Sequence, residues 1–81
     1  MTESGLTLLT RAQCGLCEQL QEALAELRHT RDLPALQLVD VDSDATLQRR
    51  YGLHIPVLLL DGVEVCRHQL DTPELLRLLR R

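Results

Sequence analysis

Residues 6–20 read LTLLTRAQCGLCEQL, in which an apolar run, a polar segment, two cysteines and the start of a helical pattern follow one another. The apolar run at residues 6–9 predicts a buried strand. From Leu16 the apolar spacing changes to steps of three and four residues, which predicts an amphipathic helix that begins at or just after Cys14. The two cysteines, Cys14 and Cys17, therefore lie where a strand gives way to a helix.

The middle of the chain predicts a second strand and a second helix. Residues 36–41 alternate apolar and polar side chains, as a half-buried strand does. Cap-forming residues follow at 42–44, and a short helix through Leu47 to Tyr51 comes next. We expect Gly52 to close that helix in the left-handed conformation that glycine readily adopts at helix ends.

The last third of the chain predicts a hairpin and a final helix. Asp61-Gly62 separates the strand-like runs 57–60 and 63–67, and Asp-Gly between two such runs is a strong hairpin signal. Thr72-Pro73-Glu74 combines a helix cap, a first-turn proline and a first-turn acid. The order β-α-β-α-β-β-α predicts an α/β fold with one mixed four-stranded sheet and helices on both faces.

The composition limits the class of protein. With 81 residues and 44% apolar side chains, the chain predicts a single domain over residues 1–81. Tyr51 is its sole aromatic residue and its net charge is −3, so it offers neither stacking platforms nor a basic surface, and we expect no binding to nucleic acid. Its nine basic residues are all arginine, which indicates a GC-rich bacterial genome.

Localisation is predicted from the N-terminus, the apolar runs and the cysteines. The opening residues 1–5 lack the apolar region of a signal peptide, and the apolar run at 57–60 is too short to span a bilayer. An odd number of cysteines fits a reducing compartment better than a disulfide scaffold. We therefore expect a cytoplasmic protein that does not associate with membranes and, from its size, a monomer.

The cysteine pair has the spacing and the position of a redox dithiol. The thiolate, and not the thiol, attacks disulfides, and the free N–H groups and dipole of a helix N-terminus favour an anion there. We therefore predict that Cys14 is the nucleophile and that Cys17, one helical turn away, resolves its mixed disulfides. The nearby carboxylate of Glu18 opposes thiolate formation in part.

Two other interpretations of the pair remain open, namely half of a zinc site or two inert buried thiols. A structural zinc site takes four ligands, usually from two such pairs. The remaining candidate ligands, which form no ligand-spaced pair, are Cys66, His54, His68 and His29. The spacing therefore favours a site without a metal.

The sequence around the pair resembles the glutaredoxins and thioredoxins. In those families a strand leads to Cys-x-x-Cys at the start of a helix, and a cis-proline precedes the third strand, as Pro56 does in the segment GLHIPVL at residues 52–58. The resemblance covers almost the whole chain and is nearest to short glutaredoxin-like proteins of bacteria. It implies a thioredoxin fold and a small thiol–disulfide oxidoreductase or electron carrier. No metal or organic cofactor is implied, and glutathione or a reductase would recycle the dithiol.

The resemblance also implies roles for residues near the cysteines. Pro56 would pack near the reactive sulfur, and the backbone of Ile55 would pair with a bound peptide or glutathione strand. Leu16 and Ile55 would offer apolar contact to the redox partner, which is implied to be a disulfide-containing protein or a glutathione mixed disulfide. Arg11 stands where glutaredoxins often place a basic residue and would steady the thiolate or a glutathione carboxylate. A solvated loop arginine is the alternative interpretation.

Two further residues have both a chemical and an ordinary interpretation. His54 lies two residues before Pro56, where it would hydrogen-bond the thiolate or donate a proton, or would be an exposed loop residue. Cys66 lies on the predicted last strand in phase with Glu64. It is either a packed or half-exposed small residue or a regulatory thiol open to glutathionylation.

The chain departs from the glutaredoxin pattern in two places. Gly15-Leu16 stands where many glutaredoxins have Pro-Tyr, and residues 65–71 lack the Gly-Gly element that binds the γ-glutamyl end of glutathione. The redox dithiol depends on neither. The alternative from another class is a non-catalytic thioredoxin-fold binding module, or a soft-metal-binding protein, that keeps the dithiol for binding.

Overall fold

Strands and helices alternate up to a final strand hairpin and helix along residues 5–80, the part of the chain that the computed structural model describes. The regular elements in this part are β1 (Leu6–Thr10), α1 (Gly15–Arg28), β2 (Leu36–Asp40), a 3₁₀ turn (Val41–Ser43), α2 (Ala45–Tyr51), β3 (Val57–Leu60), β4 (Val63–Arg67) and α3 (Thr72–Leu79). Their order confirms the predicted one. None of these helices is long and apolar enough to cross a membrane.

The strands form one mixed sheet in the order β2-β1-β3-β4. β1 pairs in parallel with β2, and β3 pairs antiparallel with both β1 and β4. Asp61 and Gly62 join β3 to β4 with φ angles of 51° and 85°, the two positive values that a tight hairpin turn needs. This open four-stranded sheet with its helices has the thioredoxin fold, which confirms the predicted fold class.

Leucine side chains fill the core between the sheet and helices α1 and α3. Alternate residues of β1 and β3 face these helices, and Leu20, Leu24 and Leu75 pack against them at 2% exposure or less. Leu9 and Val57 point to the opposite face of the sheet and are also buried. The central strands are therefore covered on both faces, which explains why β3 is apolar at every position.

Gly52 differs from its prediction. It ends α2 in the right-handed conformation, with φ −55° and ψ −30°, so the expected left-handed position is wrong. Space, and not backbone handedness, requires glycine here, because a Cβ built on Gly52 would lie 2.5 Å from the carbonyl oxygen of Gln48. Because glycine has no side chain, the backbone at this position can pack directly against the last turn of α2.

Candidate active site

Cys14 occupies the N-cap of α1, immediately before the first helical residue. Its backbone is extended, with φ −111° and ψ 105°, and its sulfur accepts a hydrogen bond from the Cys17 N–H at 3.2 Å. That N–H is one of the donors that a helix leaves without a partner at its start, so the sulfur replaces the usual oxygen cap. The same donor and the helix dipole stabilise negative charge on the Cys14 sulfur.

Cys17 lies in the first turn of α1 and forms a disulfide with Cys14, with their Cα atoms 5.2 Å apart. Cys17 is 1% exposed, whereas Cys14 is partly open to solvent. A sulfur atom of another molecule can therefore reach Cys14 but not Cys17. The spacing in the sequence alone does not reveal this asymmetry.

The Ile55–Pro56 peptide bond is cis, and Pro56 is buried. The antiparallel register of β1 and β3 places Pro56 beside the end of β1, from which the chain runs on to Cys14. The Pro56 carbonyl accepts the His68 N–H at 2.7 Å, whereas the Ile55 backbone makes no hydrogen bond with residues 5–80. Ile55 thus keeps its backbone groups available at the end of the sheet that carries the cysteines.

Arg11 ties the segment before Cys14 to two other segments. Its guanidinium group donates to the Asp42 carboxylate at 2.7 and 2.9 Å and to the Gly52 carbonyl at 3.2 Å. The hydrogen bonds from Arg11 lower the pKa of Asp42, and those same bonds raise the pKa of Arg11. The side chain is thus engaged within the fold, and its expected contact with a thiolate or a glutathione carboxylate stays a prediction.

The Arg11–Asp42 pair predicts an acid-sensitive contribution to stability. Because the folded-state pKa of Asp42 lies below its ordinary value of 3.8, the pair stabilises the fold above that pH. The contribution is lost as the pH falls through the lowered folded-state pKa. We therefore expect the urea midpoint of Asp42→Asn to fall less steeply below about pH 4 than that of the unchanged protein.

Urea titrations between about pH 2 and pH 6 measure this difference. Asp32→Asn is the control, because it removes an exposed carboxylate that pairs with no cation in residues 5–80. The prediction would be contradicted if the urea midpoints of Asp42→Asn and of the unchanged protein fell equally steeply as the pH is lowered. Added salt should reduce the difference, since both side chains of the pair are partly exposed.

Comparison with known proteins identifies the family. Residues 5–80 match the family described as glutaredoxin-like domain (DUF836). The chain belongs to this family. Uncharacterized proteins from Mycobacterium tuberculosis and Mycobacterium bovis are each 36% identical over 76 residues, which cover 88% of this chain and 77% of the relative. The resemblance drawn from the cysteine pair and the proline segment is thereby confirmed.

Solved structures of similar proteins share the fold of this glutaredoxin-like domain. The crystal structure of XcR50 from X. campestris is 41% identical with a TM-score of 0.72, and the match covers 93% of this chain and 95% of that one. The solution structure of Ne2328 from Nitrosomonas europaea is 26% identical with a TM-score of 0.82, covering 91% and 88%. The sheet and helices around the cysteine pair are therefore an arrangement also found by experiment in relatives.

The glutaredoxin-like domain exposes apolar side chains at the start of α1 and in the loop that leads to Pro56. Leu16 at the start of α1 is 43% exposed, and Leu53 in the loop after α2 is 94% exposed. Leu53 was not among the residues predicted to contact a redox partner, because exposure of a single apolar residue is not evident from the sequence. His54 is partly exposed and its backbone N–H donates to the Tyr51 carbonyl at 2.7 Å. A role for its imidazole stays a prediction.

The histidines considered as zinc ligands are dispersed. His29 follows α1, His54 lies in the loop between α2 and β3, and His68 follows β4. Among residues 5–80, no group of three or more His, Cys, Asp or Glu side chains is arranged to hold a metal ion. Cys14 and Cys17 therefore gain no third ligand from that part of the chain.

Cys66 is half-buried because β4 contains a bulge. The register against β3 shifts between Leu58 and Leu59, which makes Val65 an extra residue, and both Val65 and Cys66 contact the core. The alternation that would group Cys66 with Glu64 is thereby broken. Burial raises the pKa of the Cys66 thiol. These features fit a packed small residue, protonated at neutral pH.

We expect Cys66 to react slowly with thiol reagents in the folded domain. In a background that lacks both other cysteines, iodoacetamide should alkylate it at least severalfold more slowly than in urea, with the rate rising only above the ordinary thiol pKa. The folded state holds this proton more tightly, so Cys66 adds stability below its ordinary pKa. That stability is lost as the pH rises through the folded-state pKa. Equal rates for folded and unfolded protein would contradict the prediction.

Proposed function

We propose that this glutaredoxin-like domain is a thiol–disulfide oxidoreductase that carries two electrons on Cys14 and Cys17. The observation that carries the proposal is the asymmetry of the pair, an accessible sulfur at a helix N-cap and a buried partner bonded to it. A nucleophile must be reached by its substrate, whereas a resolving thiol must reach the nucleophile and stay shielded from other reactants. Cys14 meets the first requirement and Cys17 meets the second.

In the first half-reaction the Cys14 thiolate attacks one sulfur of a substrate disulfide. The substrate S–S bond breaks, its second sulfur leaves as a thiolate that takes up a proton from water, and a mixed disulfide joins Cys14 to the substrate. The hydrogen bond from the Cys17 N–H and the dipole of α1 stabilise the attacking thiolate. They thus raise the fraction of Cys14 that is ready to react at neutral pH.

In the second half-reaction Cys17 releases its proton to water, as Cys14 did before the first attack, and the Cys17 thiolate attacks the Cys14 sulfur. The mixed disulfide breaks, the substrate leaves as a dithiol after taking up a second proton, and the Cys14–Cys17 disulfide forms. The Cα separation of 5.2 Å lies within the range that a disulfide bridges without movement of the backbone. Glutathione or a dithiol reductase then returns two electrons by the reverse chemistry.

A disulfide-containing protein is the substrate class that the surroundings favour. Leu16 and Leu53 offer exposed apolar contact, and the Ile55 backbone offers hydrogen-bonding groups to an extended peptide. A glutathione mixed disulfide is the smaller substrate that the family resemblance implies. Either substrate suits a reducing compartment such as the cytoplasm, in which reduced thiols recycle the domain.

A redox titration of Cys14–Cys17 in a series of glutathione buffers tests the proposal. Thiol alkylation followed by mass measurement reads the oxidised fraction, and Cys66→Ser is the matched control. A reversible two-electron transition is expected in both proteins. If no intramolecular disulfide forms at any ratio of reduced to oxidised glutathione, the proposal fails. A non-catalytic binding module or a soft-metal protein would then be favoured, and metal content after purification without chelators would separate these two.

A further inference from the structure

β2 leaves one edge of the sheet open. Within residues 5–80 it pairs only with β1, and the Leu6 N–H donates to the Ala35 carbonyl at 3.0 Å at the start of that ladder. Because alternate residues of a strand bond to the same neighbour, the N–H and C=O groups of Leu36, Leu38 and Asp40 point away from β1. Apart from the Asp40 carbonyl, which already accepts the Ser43 hydroxyl at 2.7 Å, these groups form a row along the outer edge of β2 that a further strand can pair with.

The two outer strands of the sheet differ in their protection. β4 contains the bulge and a Glu64–Arg67 ion pair, and His68 follows it in the left-handed conformation at φ 69°. Such features discourage the addition of a strand. β2 has no register shift, contains no proline and carries no charge before Asp40, and Leu38 at its centre is 49% exposed. An apolar and unprotected edge of this kind favours pairing with another strand.

We propose that two copies of this chain pair through β2, antiparallel, with Leu38 at the two-fold axis. This register pairs all three outward residues, because Leu38 lies opposite the partner's Leu38 and Leu36 lies opposite the partner's Asp40. Each Leu38 N–H donates to the partner's Leu38 carbonyl, and each Asp40 N–H donates to the partner's Leu36 carbonyl. The contact uses the same surface of both copies and closes at a dimer, in place of the monomer expected from chain size.

Charge complementarity supports this register. Leu36 lines a groove of about 530 Å³ together with Arg28 and His29 at the end of α1. The Arg28 guanidinium donates to two backbone carbonyls at 2.8 Å each and has no carboxylate partner in residues 5–80. One oxygen of Asp40 accepts the Asp42 N–H, and the other is available. In the dimer the partner's Asp40 brings its carboxylate to the mouth of this groove beside Arg28, twice by symmetry.

Sedimentation measures the oligomeric state of the full-length Cys66→Ser variant, kept in reductant, at concentrations from about 10 μM to 1 mM. We expect a monomer–dimer equilibrium in this range. Arg28→Glu and Asp40→Arg should each weaken dimerisation about tenfold or more, since each places like charges across the interface. The double variant should dimerise severalfold more tightly than either single variant, because the pair is restored with its charges exchanged. Recovery stays incomplete, because glutamate cannot donate to the two backbone carbonyls that Arg28 contacts. Val63→Lys on β4 is the matched control and should leave the equilibrium unchanged.

A crosslink provides a measurement that does not alter charge. Across the axis the two Leu38 Cα atoms would be about 5.5 Å apart, within the range of a disulfide. Leu38→Cys, in the Cys66→Ser background, should therefore be trapped as a covalent dimer when oxidised glutathione accepts the two electrons and is released as two thiols. Gln37→Cys, whose side chain faces the other side of the sheet opposite the partner's Val39, is the control. A monomer at every concentration, a dimer broken by Val63→Lys, or equal trapping of both cysteine variants would overturn the proposal.

Discussion

Cys14→Ser is expected to abolish the reduction of a disulfide substrate, with the rate falling by at least about a thousandfold. A serine hydroxyl stays protonated at neutral pH and does not replace the thiolate as a nucleophile towards sulfur. Cys17 cannot take over, because it is 1% exposed and a substrate disulfide does not reach it. The measurement is the reduction of an aromatic disulfide by the domain recycled with dithiothreitol, after subtraction of the uncatalysed rate.

Cys17→Ser and Cys66→Ser complete this experiment. Cys17→Ser retains the attacking thiolate and lacks the resolving one. Once it has been reduced and freed of dithiothreitol, it should accumulate with the substrate a mixed disulfide whose mass exceeds that of the protein by one half of the substrate. Cys66→Ser should retain nearly full activity, because Cys66 lies in β4 and takes no part in the proposed exchange. Activity that survives in Cys14→Ser, or disappears in Cys66→Ser, would assign the chemistry to a different thiol.

Leu24→Ala is expected to lower the free energy of unfolding by about 2–5 kcal/mol. Leu24 is 2% exposed in the core between α1 and the sheet, so its removal leaves a cavity that rigid neighbours fill only in part. Alanine is the best helix former, so lost packing and not lost helix propensity accounts for the change. The free energy of unfolding of a native domain is about 5–15 kcal/mol, so this loss is a large fraction of it.

Urea unfolding followed by circular dichroism measures the effect. Leu53→Ala is the matched control, because it removes the same atoms from a side chain that is 94% exposed, and it should change the stability by less than about 0.5 kcal/mol. Similar losses for both variants would mean that the helix-facing core does not dominate the stability of this domain.

Features that depend on neighbouring residues were predictable from the sequence. The change of apolar spacing at Leu16 located the start of α1, and therefore placed Cys14 at its N-cap. Asp61-Gly62 located the hairpin, because the positive φ values of a tight turn suit those two residues. In each case the decisive interactions join residues within a single helical turn or within a single tight turn between strands.

Features that depend on distant contacts were not predictable in this way. The partner of Arg11 is 31 residues away in Asp42, and nothing in the local sequence singles out that carboxylate. Gly52 is required by its close approach to Gln48 and not by a left-handed backbone, a distinction that needs the path of the chain. The bulge at Val65 changes the face of the sheet to which Cys66 points. The alternation of apolar and polar residues in the sequence does not reveal the extra residue that a bulge inserts.

The sequence by itself determined the element order, the mixed four-stranded α/β sheet and the position of the cysteine pair at the start of a helix, because periodicity and caps are local properties of a chain. The thioredoxin fold was implied by the resemblance to known families. Only the tertiary structure decided that Cys14 is accessible and Cys17 buried. It also decided that, among residues 5–80, nothing bonds to the Ile55 backbone or pairs with the outer edge of β2. Exposure and pairing depend on which elements pack together, and that packing joins residues that lie far apart in the chain.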